Sequence, residues 1–160
     1  MDYSDHSFDK IKFKNPSDGL PDLTFEYTAF GADDTLKEAK DQFQELPHSE
    51  FRQAWRRLVP FWKNHIESVI GNVEWDLQDA RVTTVKLSRV GDMISEVRYW
   101  VSCKAGKDTT VTIATPDAIP TEEERGVLRE VCVAAVGFLN GAREQSSLFE
   151  SDGIPDERMN

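Results

Sequence analysis

Between residues 81 and 115 the apolar residues recur at every second position, and this alternation limits the fold more than any other feature. The segments 81–90, 94–103 and 108–115 are rich in Val, Thr, Ile, Tyr and Trp, and they are separated by Gly91-Asp92 and by residues 104–107. Alternation of this kind predicts half-buried strands, and such short connections predict an antiparallel meander. The rest of the chain must therefore cover one face of a small antiparallel sheet.

Two other segments have helical periodicity. In the first, apolar residues recur every three or four positions at Phe51, Trp55, Leu58, Trp62, Ile66 and Val69. Pro60 lies within this stretch, and because proline removes a backbone hydrogen bond we expect a kink or a break near Leu58. In the second, Thr121 and Glu124 have the spacing of a capping box, which predicts the start of a helix over 121–142.

The N-terminal part predicts one strand and one more helix. Residues 23–30 alternate and predict a half-buried strand. Thr35 and Glu38 match another capping box, and the spacing of Leu36, Ala39, Phe43 and Leu46 predicts a helix that ends at Pro47. Residues 1–22 predict an arm with turns, in which only residues 11–13 could form a short edge strand.

These elements predict an α+β fold, a two-layer sandwich in which about three helices cover a small sheet made of the meander and one N-terminal strand. The expected organisation is an N-terminal arm over 1–22, a single globular domain over 23–145 and an acidic, flexible tail over 146–160.

Charge and composition restrict the partners. The chain has 160 residues, a net charge of −10 and a pI of about 4.8. Such a charge repels phosphate backbones and anionic membranes at long range, so direct nucleic-acid binding is expected to be unlikely and a basic protein is the natural complement. Solubility alone also explains an acidic composition.

The chain is expected to reside in the cytoplasm and not in a membrane. Its N-terminus is polar, with no apolar segment of the secretory type behind it, and its longest apolar run, 131–139, is about half of what a membrane span needs. The two cysteines, Cys103 and Cys132, lie in apolar stretches and are expected to be reduced and buried.

No motif indicates a reaction, a metal or a cofactor. His6, His48 and His65 are far apart and none belongs to a pair with ligand spacing. The sequence contains no phosphate-binding loop, dinucleotide fingerprint or nucleophile elbow. No metal and no cofactor are therefore expected, and an enzymatic activity is the less favoured class of function. No feature indicates the oligomeric state.

One basic segment is a candidate patch. Arg52, Arg56, Arg57 and Lys63 stand among aromatic residues between His48 and His65. They could bind an acidic or nucleic-acid partner, since arginine stacks on aromatic groups. The favoured interpretation is that they form the solvated face of a helix whose aromatic residues belong to the core.

A short segment near the C-terminus, Gln145-Ser-Ser-Leu-Phe149, resembles the peptide with which bacterial replication and repair proteins bind the sliding clamp. The resemblance covers five residues and carries no information on the fold. It implies that Gln145, Leu148 and Phe149 are partner-binding residues, with Leu148 and Phe149 filling an apolar pocket.

Three functional hypotheses follow. The first is a non-enzymatic accessory or adaptor protein of a bacterium or phage, which docks on a replication or repair partner through its tail. The alternative is an acidic inhibitor or immunity-like protein that neutralises a basic partner or mimics DNA. The third is a small enzyme without a recognisable motif.

Overall fold

The computed structural model describes residues 7–16, 19–30, 36–71, 79–104 and 109–143. Within these ranges the elements are β1 (Ser7–Lys14), β2 (Asp22–Phe30), β3 (Leu36–Phe43), α1 (Ser49–Arg56), α2 (Val59–Ile70), β4 (Arg81–Val90), β5 (Met93–Lys104), β6 (Thr110–Ala114) and α3 (Glu122–Leu139). The strands form one sheet in the order β3-β2-β1-β4-β5-β6, and each neighbouring pair is antiparallel. The chain therefore has an α+β fold.

The two faces of the sheet differ in chemistry because side chains alternate along each strand. The register places Ile11, Val85 and Tyr99 side by side across β1, β4 and β5, and all three are buried. The helices cover this apolar face: the indole N–H of Trp55 donates to the Val82 carbonyl (2.8 Å) and that of Trp62 to the Ile113 carbonyl (3.2 Å). Among the described residues, no helix packs on the other face of the central strands.

The elements predicted from strong local signals are confirmed. The three meander strands are β4, β5 and β6, and the β4–β5 turn lies at Gly91-Asp92, where Gly91 has a φ of 61°. The long helix is broken between α1 and α2 at residues 57–58, with Pro60 in the first turn of α2. The capping box of Thr121 and Glu124 opens α3. Both tryptophans of the helical stripe are buried.

The helix predicted over residues 35–46 is wrong, because Leu36–Phe43 forms β3 along the whole of β2. Ala39, Asp41 and Phe43 alternate inward, and the Tyr27 hydroxyl donates to the inward Asp41 carboxylate (2.5 Å). Pairing with an available strand edge outweighs the weak helical preference of this segment.

The predicted sheet is too small. The expected edge strand at residues 11–13 is instead β1, which lies in the middle of the sheet between β2 and β4, so that Ser7–Lys14 belongs to the folded unit and not to an arm. Because β1 and β3 are strands, the sheet has six strands among the described residues, and the helices reduce to two units, the bent α1–α2 pair and α3. The predicted tail lies outside the described residues.

Replacing Trp62 by Ala tests the packing of the helical layer. The side chain is fully buried and hydrogen-bonded to β6, so we expect the free energy of unfolding in urea to fall by about 3–5 kcal/mol. Val69 is 62% exposed on the same helix, and Val69→Ala should change stability by less than about 0.5 kcal/mol. Equal effects of the two substitutions would contradict this packing.

Candidate functional site

The face of the central strands opposite the described helices carries rows of cations. The register aligns Lys10, Lys86 and Arg98 across β1, β4 and β5, and the next row aligns Lys12, Thr84 and Trp100. Neighbouring strands lie about 4.8 Å apart, so each row spans about 10 Å. This surface, called here the basic face, thus presents four cations and one tryptophan on a rigid scaffold.

Trp100 is the aromatic centre of the basic face. The Arg98 guanidinium lies 4.8 Å from the centroid of the indole ring, and the Lys10 ammonium lies 5.8 Å from it. The Arg98 Nε also donates to the Thr115 carbonyl (2.9 Å), which fixes the guanidinium beside the ring. Cation–π attraction therefore holds a planar cation and a half-buried aromatic ring together at the surface.

The basic face continues around the end of the sheet into a cleft of about 1160 Å³ between the β1–β4 strands and α1. Six of its lining residues are cationic: Lys10, Lys12, Lys14, Arg52, Arg56 and Arg81. Trp55, Val59 and Pro60 supply apolar surface, and none of the lining residues in the described part of the chain is a carboxylate. The cleft concentrates positive charge in a protein whose net charge is negative.

Most of these cations lack a carboxylate partner. Elsewhere, Arg57, Arg125 and Arg143 pair with glutamates at N–O distances of 2.8–3.0 Å. Within the described ranges the cleft's lysines, Arg56 and Arg81 form no such ion pair. Arg52 is held in place, since its Nε donates to the Pro47 carbonyl (3.1 Å). The cleft therefore has unneutralised positive charge available for an anionic ligand.

The structure separates the four basic residues predicted from the helix. Arg52 and Arg56 line the cleft. Arg57 turns away and donates to both carboxylate oxygens of Glu130 (3.0 and 3.1 Å). Lys63 lies on α2, half-buried and outside the cleft lining. Gln145, Leu148 and Phe149 lie outside the described residues, so their role stays a prediction.

The lysines of β1, Arg81 and Trp100 were missed as site residues. One signal was present: Lys10, Lys12 and Lys14 alternate with apolar residues, which places them on one face of any strand they form. The position of that strand at the centre of the sheet has no local signal, and neither does the approach of Arg81 to Arg56.

A second polar cluster is buried between the layers. Glu124 is 1% exposed, and its Oε2 accepts the Tyr99 hydroxyl (2.5 Å) and lies 2.8 Å from His65 Nε2. Its Oε1 accepts the Thr121 backbone N–H (3.2 Å). Both carboxylate oxygens are thus engaged, and the cluster joins α2, α3 and β5. Burial, and then the adjacent Glu124 carboxylate, raise the pKa of the Tyr99 phenol far above its ordinary value of 10.0.

No group of three or more His, Cys, Asp or Glu side chains in the described ranges is arranged to hold a metal ion. The helices of those ranges include none that is long and apolar enough to cross a membrane. Cys103 and Cys132 are free thiols, the first buried and the second half-buried.

The chain matches no family model, no curated protein and no solved structure. The function must therefore be inferred from the geometry and charge of the basic face and the cleft.

The raised pKa of Tyr99 predicts a specific loss of stability in alkali. Above pH about 10 the unfolded chain loses a phenolic proton that the folded chain keeps, so the folded state binds more protons and its stability falls as the pH rises. In Tyr99→Phe this contribution is absent. We expect the free energy of unfolding, measured in urea between pH 9.5 and 11, to fall less steeply in the variant, by up to about 1.4 kcal/mol per pH unit. Identical slopes would show that Tyr99 ionises normally in the fold.

Proposed function

We propose that this protein binds single-stranded nucleic acid across its basic face and cleft. One observation carries the proposal: cations that form no ion pair within the described ranges lie beside Trp100, and the described cleft lining contains no carboxylate, in a protein of net charge −10. Such a grouping opposes the trend of the whole chain, and it joins the two elements that single-strand binding requires, a cationic groove and an aromatic platform.

The cations supply the sequence-independent part of the binding. Phosphates that enter the cleft would pair with Lys12, Arg56 and Arg81 without breaking an ion pair of the described part of the chain. Each phosphate neutralised releases condensed counterions, which favours binding at low salt. Arg52, oriented by the Pro47 carbonyl, presents its guanidinium at the same wall.

Trp100 favours a single strand over a duplex. Bases in a duplex are stacked on each other and hide their faces, whereas bases of a single strand can stack on an aromatic ring or on an arginine plane. The Arg98–Trp100 pair offers both surfaces on one rigid strand. The cations of β1 and β4 in the same two rows would bind the phosphates that flank a stacked base.

The negative net charge argues against direct nucleic-acid binding, but a net charge acts at long range and does not describe the charges in contact with a ligand. Charges act through solvent over about 8–10 Å at physiological salt, whereas the cleft would contact phosphates directly. Glu26, opposite Lys10 on β2, and Glu96, near the far end of β5, limit the basic face to the central strands. Net charge should therefore slow the encounter without abolishing the contact.

Adjacent arginines of α1 provide a matched test. Arg56 lines the cleft, whereas Arg57 is bound to Glu130. We expect Arg56→Gln to weaken binding of a labelled oligodeoxythymidine, measured by fluorescence anisotropy, and to reduce the salt slope by about 0.7. Arg57→Gln should leave both unchanged. Trp100→Ala should weaken binding about 5- to 150-fold, because one stacked base contributes about 1–3 kcal/mol.

Two outcomes would overturn the proposal: no binding by the natural chain at low salt, or equal effects of Arg56→Gln and Arg57→Gln. Tighter binding of an acidic peptide or of heparin than of the oligonucleotide, with Trp100→Ala neutral, would instead make the cleft a site for another polyanion.

The sliding-clamp hypothesis is a second, separate proposal, motivated by the five-residue resemblance. A peptide over residues 142–153 should bind a bacterial sliding clamp, and the same peptide with Leu148→Ala and Phe149→Ala should not, because the two apolar anchors are lost. Isothermal calorimetry of both peptides measures this. No binding by the unchanged peptide, or equal binding by both, ends the hypothesis.

The adaptor hypothesis depends on that peptide, and single-strand binding would suit a replication or repair accessory protein. The acidic-inhibitor and enzyme hypotheses and the cytoplasmic location stay predictions.

A further inference from the structure

We infer that the acidic segment 144–160 of this same chain binds in the basic cleft when nucleic acid is absent, and so competes with it. The inference rests on the proposed nucleic-acid site and adds its regulation. It follows from three observations: where α3 ends, how long the remaining segment is, and which charges the segment and the cleft carry.

The described chain ends at a fixed point next to β3. Arg143 lies over the Phe138 ring at 3.8 Å and pairs with Glu45 at 2.8 Å, so the end of α3 is anchored at that edge of the domain. Phe138 contacts Phe43 of β3, with ring centroids 5.0 Å apart. Residues 144–160 therefore depart from a defined point.

The end of α3 is connected to the cleft wall by contacts on the helix side and by strand pairing on the sheet side. His48 Nε2 is 3.9 Å from the position that a Cβ would occupy on Gly137 of α3. The preceding residue, Pro47, accepts the hydrogen bond from Arg52, which lines the cleft. On the sheet side, Phe43 pairs with Leu23, which pairs with Phe13 beside Lys14, so two strand spacings of about 4.8 Å separate Phe43 from β1.

The remaining segment is long enough. Its 17 residues could extend to about 55 Å at about 3.3 Å per residue, which is several times the span of about 10 Å of each row of the basic face. A short tether of this kind holds its segment at an effective concentration in the millimolar range. Even a weak interaction with the cleft would then be populated within one molecule.

The charges are complementary. Residues 144–160 contain five carboxylates, Glu144, Glu150, Asp152, Asp156 and Glu157, against Arg158 alone. The cleft offers six cations, and within the described ranges its three lysines, Arg56 and Arg81 form no ion pair with a carboxylate. Exposed ion pairs are individually weak, so nucleic acid, with its higher charge density and its bases, would displace the segment. The segment would thus raise the threshold for binding and favour long or high-affinity strands.

The test compares four full-length or truncated proteins in the oligodeoxythymidine assay at low salt. They are the natural chain, a chain ending at Arg143, a chain with Glu150→Gln, Asp152→Asn, Asp156→Asn and Glu157→Gln, and a chain with Ser146→Ala and Ser147→Ala. We expect truncation and neutralisation to tighten binding about tenfold, as for a competitor at millimolar effective concentration with a Kd of about 0.1 mM. The two serine substitutions keep every charge and should leave the affinity for the oligonucleotide unchanged. Equal urea stability of all four proteins serves as the folding control.

A second measurement separates contact from long-range repulsion. In the protein free of nucleic acid, the nuclear magnetic resonance signal of the Trp100 indole N–H, assigned with Trp100→Phe, should shift on truncation. Arg56→Gln should reduce that shift, and Arg57→Gln should not. Tighter binding after truncation with no shift of the signal would reduce the effect to bulk charge and overturn the inference. A shift that grows with protein concentration would also overturn it, by assigning the contact to a second copy.

The two proposals fail in different ways. If neither the natural nor the truncated chain binds the oligonucleotide, the proposed function is wrong, and the Trp100 signal still reports whether the acidic segment occupies the cleft. If both bind equally and the signal does not move, the function stands and the inference fails.

Discussion

The position of β1 at the centre of the sheet is the constraint on which the rest of the structure depends. Its apolar residues alternate with lysines, so one strand contributes both to the core and to the surface opposite it. Because β1 pairs with β2 on one side and β4 on the other, it joins an N-terminal hairpin to the C-terminal meander. Without β1 the described strands of the two halves would not pair with each other, and the rows of cations would not exist.

The helices are arranged so that their buried side chains cover the apolar face of the sheet. The break before α2 lets the aromatic stripe follow a twisted apolar surface in two straight segments, and Pro60 occupies a first-turn position where its missing N–H leaves no helical hydrogen bond unmade. The α1 segment thereby lies at the sheet end, with Trp55 inward and Arg56 beside the cleft. At the other end the buried Glu124 carboxylate joins α3 to α2 and β5 through Tyr99 and His65.

Local signals predicted what local physics determines. The Thr121 capping box, the Pro60 break and the Gly91 turn are each set by a few adjacent residues, and each is confirmed. The helix predicted over residues 35–46 is wrong because the structure of this segment depends on a partner distant in sequence. Leu36–Phe43 has helical spacing but forms a strand, since the edge of β2 is open to it. The placement of β1 is non-local in the same way.

The same division applies to the candidate site. The sequence alone shows the basic character of α1 and the alternation of Lys10, Lys12 and Lys14 with apolar residues. The sequence does not predict the different surroundings of Arg56 and Arg57, because they depend on the cleft formed with β1 and β4 and on Glu130 of α3. A net charge summed over the chain also hides its distribution, and this is why the whole-chain value argued against a surface that the sheet assembles.

Charge is unevenly distributed over the described surface. The first turn of α3 carries the exposed carboxylates of Glu122 and Glu123, whereas six cations line the cleft. A rod of negative charge would be repelled by the first and attracted by the second, and so would exert a torque on the molecule before any contact. The distribution of charge would therefore favour approaches that turn the cleft toward a polyanion.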